Sequence, residues 1–137
     1  MDFVNLLFSY QGRINRAKYW LAVLVYMIGM IIIVAVFFAV PLIGYVFGAI
    51  VYLAMIVSGV MVGIKRLHDR DKSGWWVLLF YGVPTILSWG SLGVGGILHT
   101  VLSIVSFAIT VWAVVELGCL RGTVGPNQYG PDPLTPA

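Results

Sequence analysis

The chain has 137 residues, the length of one domain, yet 61% of them are hydrophobic and only 9% are charged. Eight Lys and Arg residues and five Asp and Glu residues are too few to cover a water-facing surface of ordinary area. This composition excludes a large soluble catalytic domain and intrinsic disorder, and the single cysteine excludes a secreted scaffold held by internal disulfides. We therefore predict an all-α integral membrane protein that crosses the bilayer several times.

The N-terminal segment is predicted to form a short helix that lies in the membrane interface. Phe3, Leu6, Leu7 and Tyr10 recur at helical spacing, but the segment is too short to cross a bilayer. Asn15 follows and suits the N-cap position of the first long helix, because its side chain can accept a hydrogen bond from an early backbone N–H.

Two long segments lack Lys, Arg, Asp and Glu altogether, from Tyr19 to Ile64 and from Ser73 to Val115. A helix needs about 20 residues to cross the hydrocarbon core, so each segment has room for two spans. Pro41 interrupts the first segment, and a glycine-rich stretch at 90–96 interrupts the second. The sequence predicts one four-helix membrane domain over residues 1–137, with spans near 17–40, 44–65, 74–90 and 96–119 and a tail over 120–137.

The basic residues predict how this domain is oriented. With four spans, both termini and the central loop at 65–72 lie on one side of the membrane, and that side carries all eight Lys and Arg residues. Because loops rich in Lys and Arg stay in the cytoplasm, we predict that the termini and the central loop are cytoplasmic.

Two helix faces carry small or polar side chains. On the second span these are Gly44, Gly48, Met55 and Gly59. Such a face lets helix backbones approach closely. On the fourth span they form a polar stripe of His99, Ser103, Ser106 and Thr110. The stripe is interpreted either as a packing seam or as a polar pathway with His99 at its outer end.

Three motifs follow one another along the chain. They are Gly12-Arg13-x-x-Arg16-x-x-Tyr19-Trp20, Arg66-Leu67-His68-Asp69-x-x-x-Ser73-Gly74-Trp75-Trp76 and Asn127-x-Tyr129-Gly130-Pro131-Asp132-Pro133. This combination resembles the bacterial domain-of-unknown-function family 805 (DUF 805), the YhaH-like small inner-membrane proteins, over nearly the whole chain. The resemblance implies a four-helix unit in the bacterial cytoplasmic (inner) membrane and brings no molecular activity. Lys18 departs from the family pattern, in which an acidic residue is common at that place.

The predicted topology places all three motifs on one side, so their side chains can converge. We select as a cytoplasmic cluster, with a ligand-binding or a structural role, Arg13, Arg16, Tyr19, Trp20, Arg66, His68, Asp69, Arg70, Ser73, Gly74, Trp75, Glu116, Asn127, Tyr129 and Asp132. One interpretation is a solvated connector in which Asp69, Ser73 and Gly74 form the turn into the third span. The other is an anion site, in which the four arginines bind phosphate or carboxylate through their planar guanidinium groups.

Two contacts of this cluster can be predicted in more detail. Glu116 lies one turn from the end of the fourth span, where an unpaired carboxylate would be costly, so we expect it to pair with Arg13, Arg16, Lys65 or Arg66. The proline-rich tail is stiff and is expected to fold back beneath the helices. We expect Tyr129 to pack near Trp20 or Trp75, and Asp132 to face Arg13, Arg16 and Arg66.

The functional hypothesis favoured by these patterns is a non-enzymatic membrane module. Its cytoplasmic cluster is predicted to bind an anionic lipid headgroup, a small anionic ligand or a protein partner. The alternative is a small homo-oligomeric channel or transporter that uses the polar stripe or the glycine face.

Other functional classes receive less support from the sequence. No spacing supports a Cys119 nucleophile with a His68 base. The two histidines are predicted on opposite sides of the membrane, which disfavours a metal site. The net charge of +3 follows from topology, so it does not indicate a nucleic-acid partner. No cofactor is predicted either.

Overall fold

The computed structural model describes residues 3–135, and every regular element within that range is helical. Helix α1 spans Phe3–Phe8, α2 Arg16–Ala39, α3 Pro41–Asp69, α4 Val83–Leu92 and α5 Gly96–Val114. One π-helical turn, Leu78–Gly82, precedes α4, and a second, Val115–Cys119, continues α5.

Within residues 3–135, three helical segments are long and apolar enough to cross a membrane: Arg16–Ala39, Pro41–Asp69 and Gly96–Cys119. The predicted third span corresponds to the shorter apolar helix Leu78–Leu92. At about 1.5 Å per residue, this helix falls short of a hydrocarbon core of about 30 Å. The prediction of a helical membrane protein is therefore confirmed, whereas the count of four spans stays a prediction.

Helices α2 and α3 form an antiparallel pair with a sharp turn at Val40. Asn15 caps α2 as predicted, since its side chain accepts the Lys18 N–H at 3.0 Å. Pro41 is at the start of α3, where its missing N–H is not needed, so α3 begins three residues before the predicted position and continues to Asp69.

The glycine face of α3 packs largely against α2 of the same chain. A Cβ at Gly44 would collide with the Phe37 backbone, and one at Gly48 would lie 3.0 Å from Ile33 Cγ2, both on α2. Within the described residues, only open space faces Gly59. The close approach that such faces permit thus joins α2 to α3.

Helices α4 and α5 form a second hairpin, and the polar stripe lies in its seam. The Ser106 hydroxyl donates to Pro84 O at 3.0 Å and lies 2.8 Å from Ser88 Oγ. Thr110 donates back to Ser106 O at 2.9 Å, and His99 Nδ1 is 2.9 Å from Ser91 O. Ser103 is half-buried on the same helix. These contacts favour the packing-seam interpretation.

The first π-helical turn has a local cause. Pro84 has no N–H and its ring crowds the carbonyl one turn earlier, so the backbone widens over Leu78–Gly82 before regular helix resumes. The second hairpin meets the first through a cluster of buried side chains, namely Leu67, Val77, Phe80, Ala113 and Leu117. The opposite ends of the helices expose large apolar side chains such as Ile97, as expected for lipid contact.

Candidate functional site

The start of α2, the end of α3, the end of α5 and the tail meet at one end of the bundle, which we call the charged end. Asp69 lies at its centre and is only 3% exposed. Its carboxylate pairs with Arg13 Nη2 at 3.1 Å and with Arg66 Nη1. A buried carboxylate between two guanidinium groups joins the first and second motifs directly.

Arg13 connects this pair to the tail. Its Nε donates to Asp69 Oδ1 at 3.2 Å, and its Nη1 donates to Gly125 O at 2.7 Å and Gly130 O at 3.2 Å. Its Nη2 donates to Thr123 O at 2.7 Å. With the ion pair to Asp69, every donor direction of the guanidinium fork is used inside the protein.

Four consecutive carbonyls at the end of α5 are capped by side chains from other helices. Such carbonyls have no partner within their own helix. Arg66 donates from Nε to Leu117 O at 2.6 Å and from Nη2 to Leu120 O. Trp20 Nε1 donates to Gly118 O at 3.0 Å. Arg16 Nη1 donates to Cys119 O at 2.9 Å.

Glu116 does not pair with the residues predicted from the sequence. It is 4% exposed and binds Arg70 Nε at 3.0 Å and Lys72 Nζ at 2.9 Å. The prediction was wrong because α3 ends at Asp69 and the chain then turns back towards α5, which brings the connector rather than Lys65 or Arg66 to the carboxylate.

The third motif docks on His68. The Tyr129 ring stacks on the His68 ring with centroids 3.8 Å apart and an angle of 3°. Asn127 Nδ2 donates to His68 O at 2.9 Å and to Thr123 Oγ1 at 2.9 Å. The sequence predicted packing near Trp20 or Trp75; Tyr129 lines a cleft together with Trp75, and its ring stacks on the histidine.

Asp132 lies beside Arg13 and lines a cleft together with Arg16, yet among the described residues it forms no ion pair with an arginine, and its carboxylate instead folds the tail. Its carboxylate accepts the Leu134 and Gly125 backbone N–H groups, each at 2.9 Å. These two hydrogen bonds stabilise the charged form and hold the pKa of Asp132 below its ordinary value.

The remaining predicted residues occupy the connector and its surroundings. Ser73 Oγ accepts the Trp75 N–H at 3.4 Å, and Gly74 fits against Ile64. The solvated-turn interpretation was wrong for Asp69, which is buried and ends α3 instead of starting the turn. Tyr19 packs against two buried clusters. One is the cluster that joins the hairpins, and the other consists of Leu6, Leu7, Ile14, Ala22 and Val62.

Sequence reasoning missed two residues that the structure makes central. Lys65 has no exposed surface, and its Nζ donates to Asn5 O and Leu6 O at 2.6 Å, capping the end of α1. Gly122 leaves no room for a Cβ beside the Asp69 carboxylate. Lys65 at the boundary of an apolar segment was a visible signal, whereas a lone glycine before the third motif was not.

Two open clefts flank the docked tail. The first, which we call the basic cleft, has a volume of about 250 Å³ and is lined by Asn15, Arg16, Arg121, Gly122, Thr123 and Asp132, among others. The second, the aromatic cleft, has a volume of about 550 Å³ and lies between α3 and the connector to α4. Its lining includes Tyr10, Ile64, His68, Ser73, Trp75 and Tyr129.

Comparison with known proteins places this arrangement in a family. The family described as "Protein of unknown function (DUF805)" matches residues 7–131. From Escherichia coli K12, the uncharacterized protein YiiR is 29% identical over 96% of this chain and 90% of its own length. The inner membrane protein YhaI is 32% identical over 91% and 86%, and the inner membrane protein YhaH is 29% identical over 91% and 87%. No solved structure matches. The match covers the first two motifs and the third as far as Pro131, and the chain belongs to the DUF805 family of membrane proteins.

Proposed function

We propose that this protein is a non-enzymatic module of the bacterial inner membrane whose charged end faces the cytoplasm and binds the phosphate of an anionic lipid headgroup in the basic cleft. Two of its relatives are named inner membrane proteins. All eight basic residues belong to the charged end, as the positive-inside rule requires of a cytoplasmic face.

The observation that carries this proposal is that two arginines are buried in the protein and two others are exposed in the basic cleft. Arg13 and Arg66 are 5% and 0% exposed, respectively. Both donate their hydrogen bonds inside the protein, so neither is available to bind a lipid. Arg16 and Arg121 are exposed and line the same cleft. Arg16 makes one backbone hydrogen bond, so its fork retains donors for an oxygen ligand.

The charge around the basic cleft suits an anion. Asp69 is neutralised by its two buried arginines, and Asp132 is partly offset by neighbouring Arg13 and Arg121. The cleft also lies at the start of α2, whose first backbone N–H groups favour negative charge. Arg16 and Arg121 both line the cleft, and a planar guanidinium group suits the bidentate binding that phosphate prefers.

The alternative of a channel through the polar stripe has less support. Ser106 and Thr110 direct their hydroxyls to partners within the α4–α5 hairpin, and Gly44 and Gly48 already pack on α2. A small anionic ligand or an acidic protein would use the same basic cleft as a headgroup.

Lipid binding can be measured by native mass spectrometry of the protein released from detergent with phosphatidylglycerol or phosphatidylcholine. We expect Arg121→Gln and the double variant Arg16→Gln/Arg121→Gln to lose retained phosphatidylglycerol. Lys18→Gln is the matched control, because Lys18 lies at the same end of α2 but outside the cleft. Equal retention of phosphatidylcholine by the parent protein, or equal loss in the control, would overturn the proposal.

A further inference from the structure

The aromatic cleft differs from the basic cleft in charge and in shape. Its lining contains no Lys, Arg, Asp or Glu. Val60, Ile64, Val77 and Leu78 form its apolar part, and Leu78, at the start of the apolar helix Leu78–Leu92, is 57% exposed. An apolar chain can therefore enter from the bilayer without desolvating a charge.

The polar part of the cleft presents a hydrogen-bond acceptor. His68 Nδ1 lies 3.3 Å from Gly12 O, and a carbonyl oxygen only accepts, so Nδ1 carries the proton. In the neutral ring, Nε2 is then an acceptor, and it points towards Gly74 in the cleft lining. The Tyr129 ring fixes this orientation by stacking on the imidazole.

Ser73 adds a second polar atom to the same cleft. Its oxygen already accepts the Trp75 N–H, which leaves the hydroxyl proton to donate. The cleft thus combines the Nε2 acceptor, the Ser73 donor and an apolar floor, and the Tyr10, Trp75 and Tyr129 side chains that also line it carry further hydroxyl and N–H groups. An anionic headgroup does not fit this set, because a phosphate would meet the lone pair of Nε2 and no cation.

We propose that the aromatic cleft binds an uncharged lipid whose head carries a hydroxyl group, with the hydroxyl donating to His68 Nε2, its oxygen accepting from Ser73, and the apolar chain lying along Ile64 and Leu78. Diacylglycerols and isoprenoid quinols both have this chemistry, the first with an aliphatic and the second with an aromatic hydroxyl. This site is separate from the basic cleft and does not depend on it.

The test measures binding of dioctanoylglycerol and of decylubiquinol to the full chain in detergent by native mass spectrometry. Each probe has a matched analogue without the hydroxyl, namely acetylated dioctanoylglycerol and decylubiquinone. We expect at least one hydroxyl-bearing probe to bind tenfold or more tightly than its analogue, and the better probe identifies the class. Equal binding of both members in both pairs would overturn the proposal.

Two variants locate the site. His68→Phe keeps an aromatic ring beneath Tyr129 and removes the acceptor, so it should abolish the preference for the hydroxyl. Leu78→Trp fills the cleft from its exposed side and cannot disturb a buried core, so it should weaken binding of the probe as a whole. Leu92→Trp is the control, since Leu92 is 79% exposed at the far end of α4. Unchanged probe binding in Leu78→Trp would overturn the assignment, and retained phosphatidylglycerol in that variant separates it from the basic cleft.

Discussion

Asp69 carries its charge in a place where almost no water reaches it, between two guanidinium groups that form ion pairs with no other carboxylate among residues 3–135. Removing one member of such a buried group leaves the others uncompensated, which typically costs about 3–5 kcal/mol. The cluster that resembles an anion site in the sequence is therefore already filled by an internal anion and by tail carbonyls.

We expect Asp69→Ala to lower the free energy of unfolding by about 3–5 kcal/mol, because Arg13 and Arg66 then remain buried without a counter-charge. Thermal melting in detergent measures the effect. Asp71→Asn is the control, since Asp71 is exposed two residues away and Asn tolerates its positive φ of 56°. A melting temperature for Asp69→Ala equal to that of the control would contradict the account.

Glu116 provides a second, smaller test. Glu116→Ala should lose about 1.5–3 kcal/mol, because two charge-assisted bonds to Arg70 and Lys72 disappear. Glu116→Gln should lose less, since its carbonyl still accepts one of them. Thermal melting of both variants decides this, and identical curves for both variants and the parent protein would mean that the carboxylate contributes nothing.

Asp132 makes the folding of the tail depend on pH. Its pKa is lowered by the two backbone hydrogen bonds, so its contribution is present above the ordinary aspartate pKa and is lost as pH falls through the lower folded value. The Gly125 amide chemical shift should move in that acidic range in the parent protein. In Asp132→Asn the same transition should be absent, and its persistence would assign it to another group.

Among the elements of the fold, the tail is held against the helices by hydrogen bonds and by ring stacking. Residues 123–130 supply three carbonyls to Arg13 and the ring that stacks on His68, and Asn127 and Gly130 exchange backbone hydrogen bonds. Deleting residues 123–137 should therefore destabilise the protein in detergent and expose residues 70–73, the start of the connector that follows α3, to protease.

Limited proteolysis and melting of the truncated protein test that expectation. A deletion of residues 136–137 alone is the matched control for shortening the chain. Amide exchange at Tyr129 as fast as in a free peptide would contradict a docked tail.

The secondary-structure elements were predicted well where a single residue or the local hydropathy determines where they begin and end. The Asn15 cap, the break at Pro41 and the apolar segments follow from single residues and from hydropathy. The π-helical turns were not predicted. Pro84 is a local signal for the first, whereas the second contains no proline and has no such signal. The partners of Glu116, Tyr129 and Asp132 depend on where α3 ends and how the connector turns, which no spacing along the chain determines.

For the whole molecule, the distribution of charge makes orientation the most direct prediction. Reporter fusions at Leu42 and Val94 should give a non-cytoplasmic signal, and fusions at Arg70 and after Leu134 a cytoplasmic one, because every basic residue lies at the end that contains Arg70. A non-cytoplasmic signal at Arg70 would reverse the orientation and remove the cytoplasmic lipid site. A cytoplasmic signal at Val94 would show that the short helix Leu78–Leu92 does not cross.

The saturation of Arg13 also makes the charged end depend on the order of synthesis. Thr123, Gly125 and Gly130 follow Arg13 by 110 to 117 residues, so the ribosome adds them long after it. Any nascent or prematurely terminated chain thus carries a guanidinium that lacks three of its acceptors beside a carboxylate that Gly122 does not yet cover. The charged end closes only after residues 122–130 have been added, so a chain that stops before them differs in structure at the charged end from one that contains them.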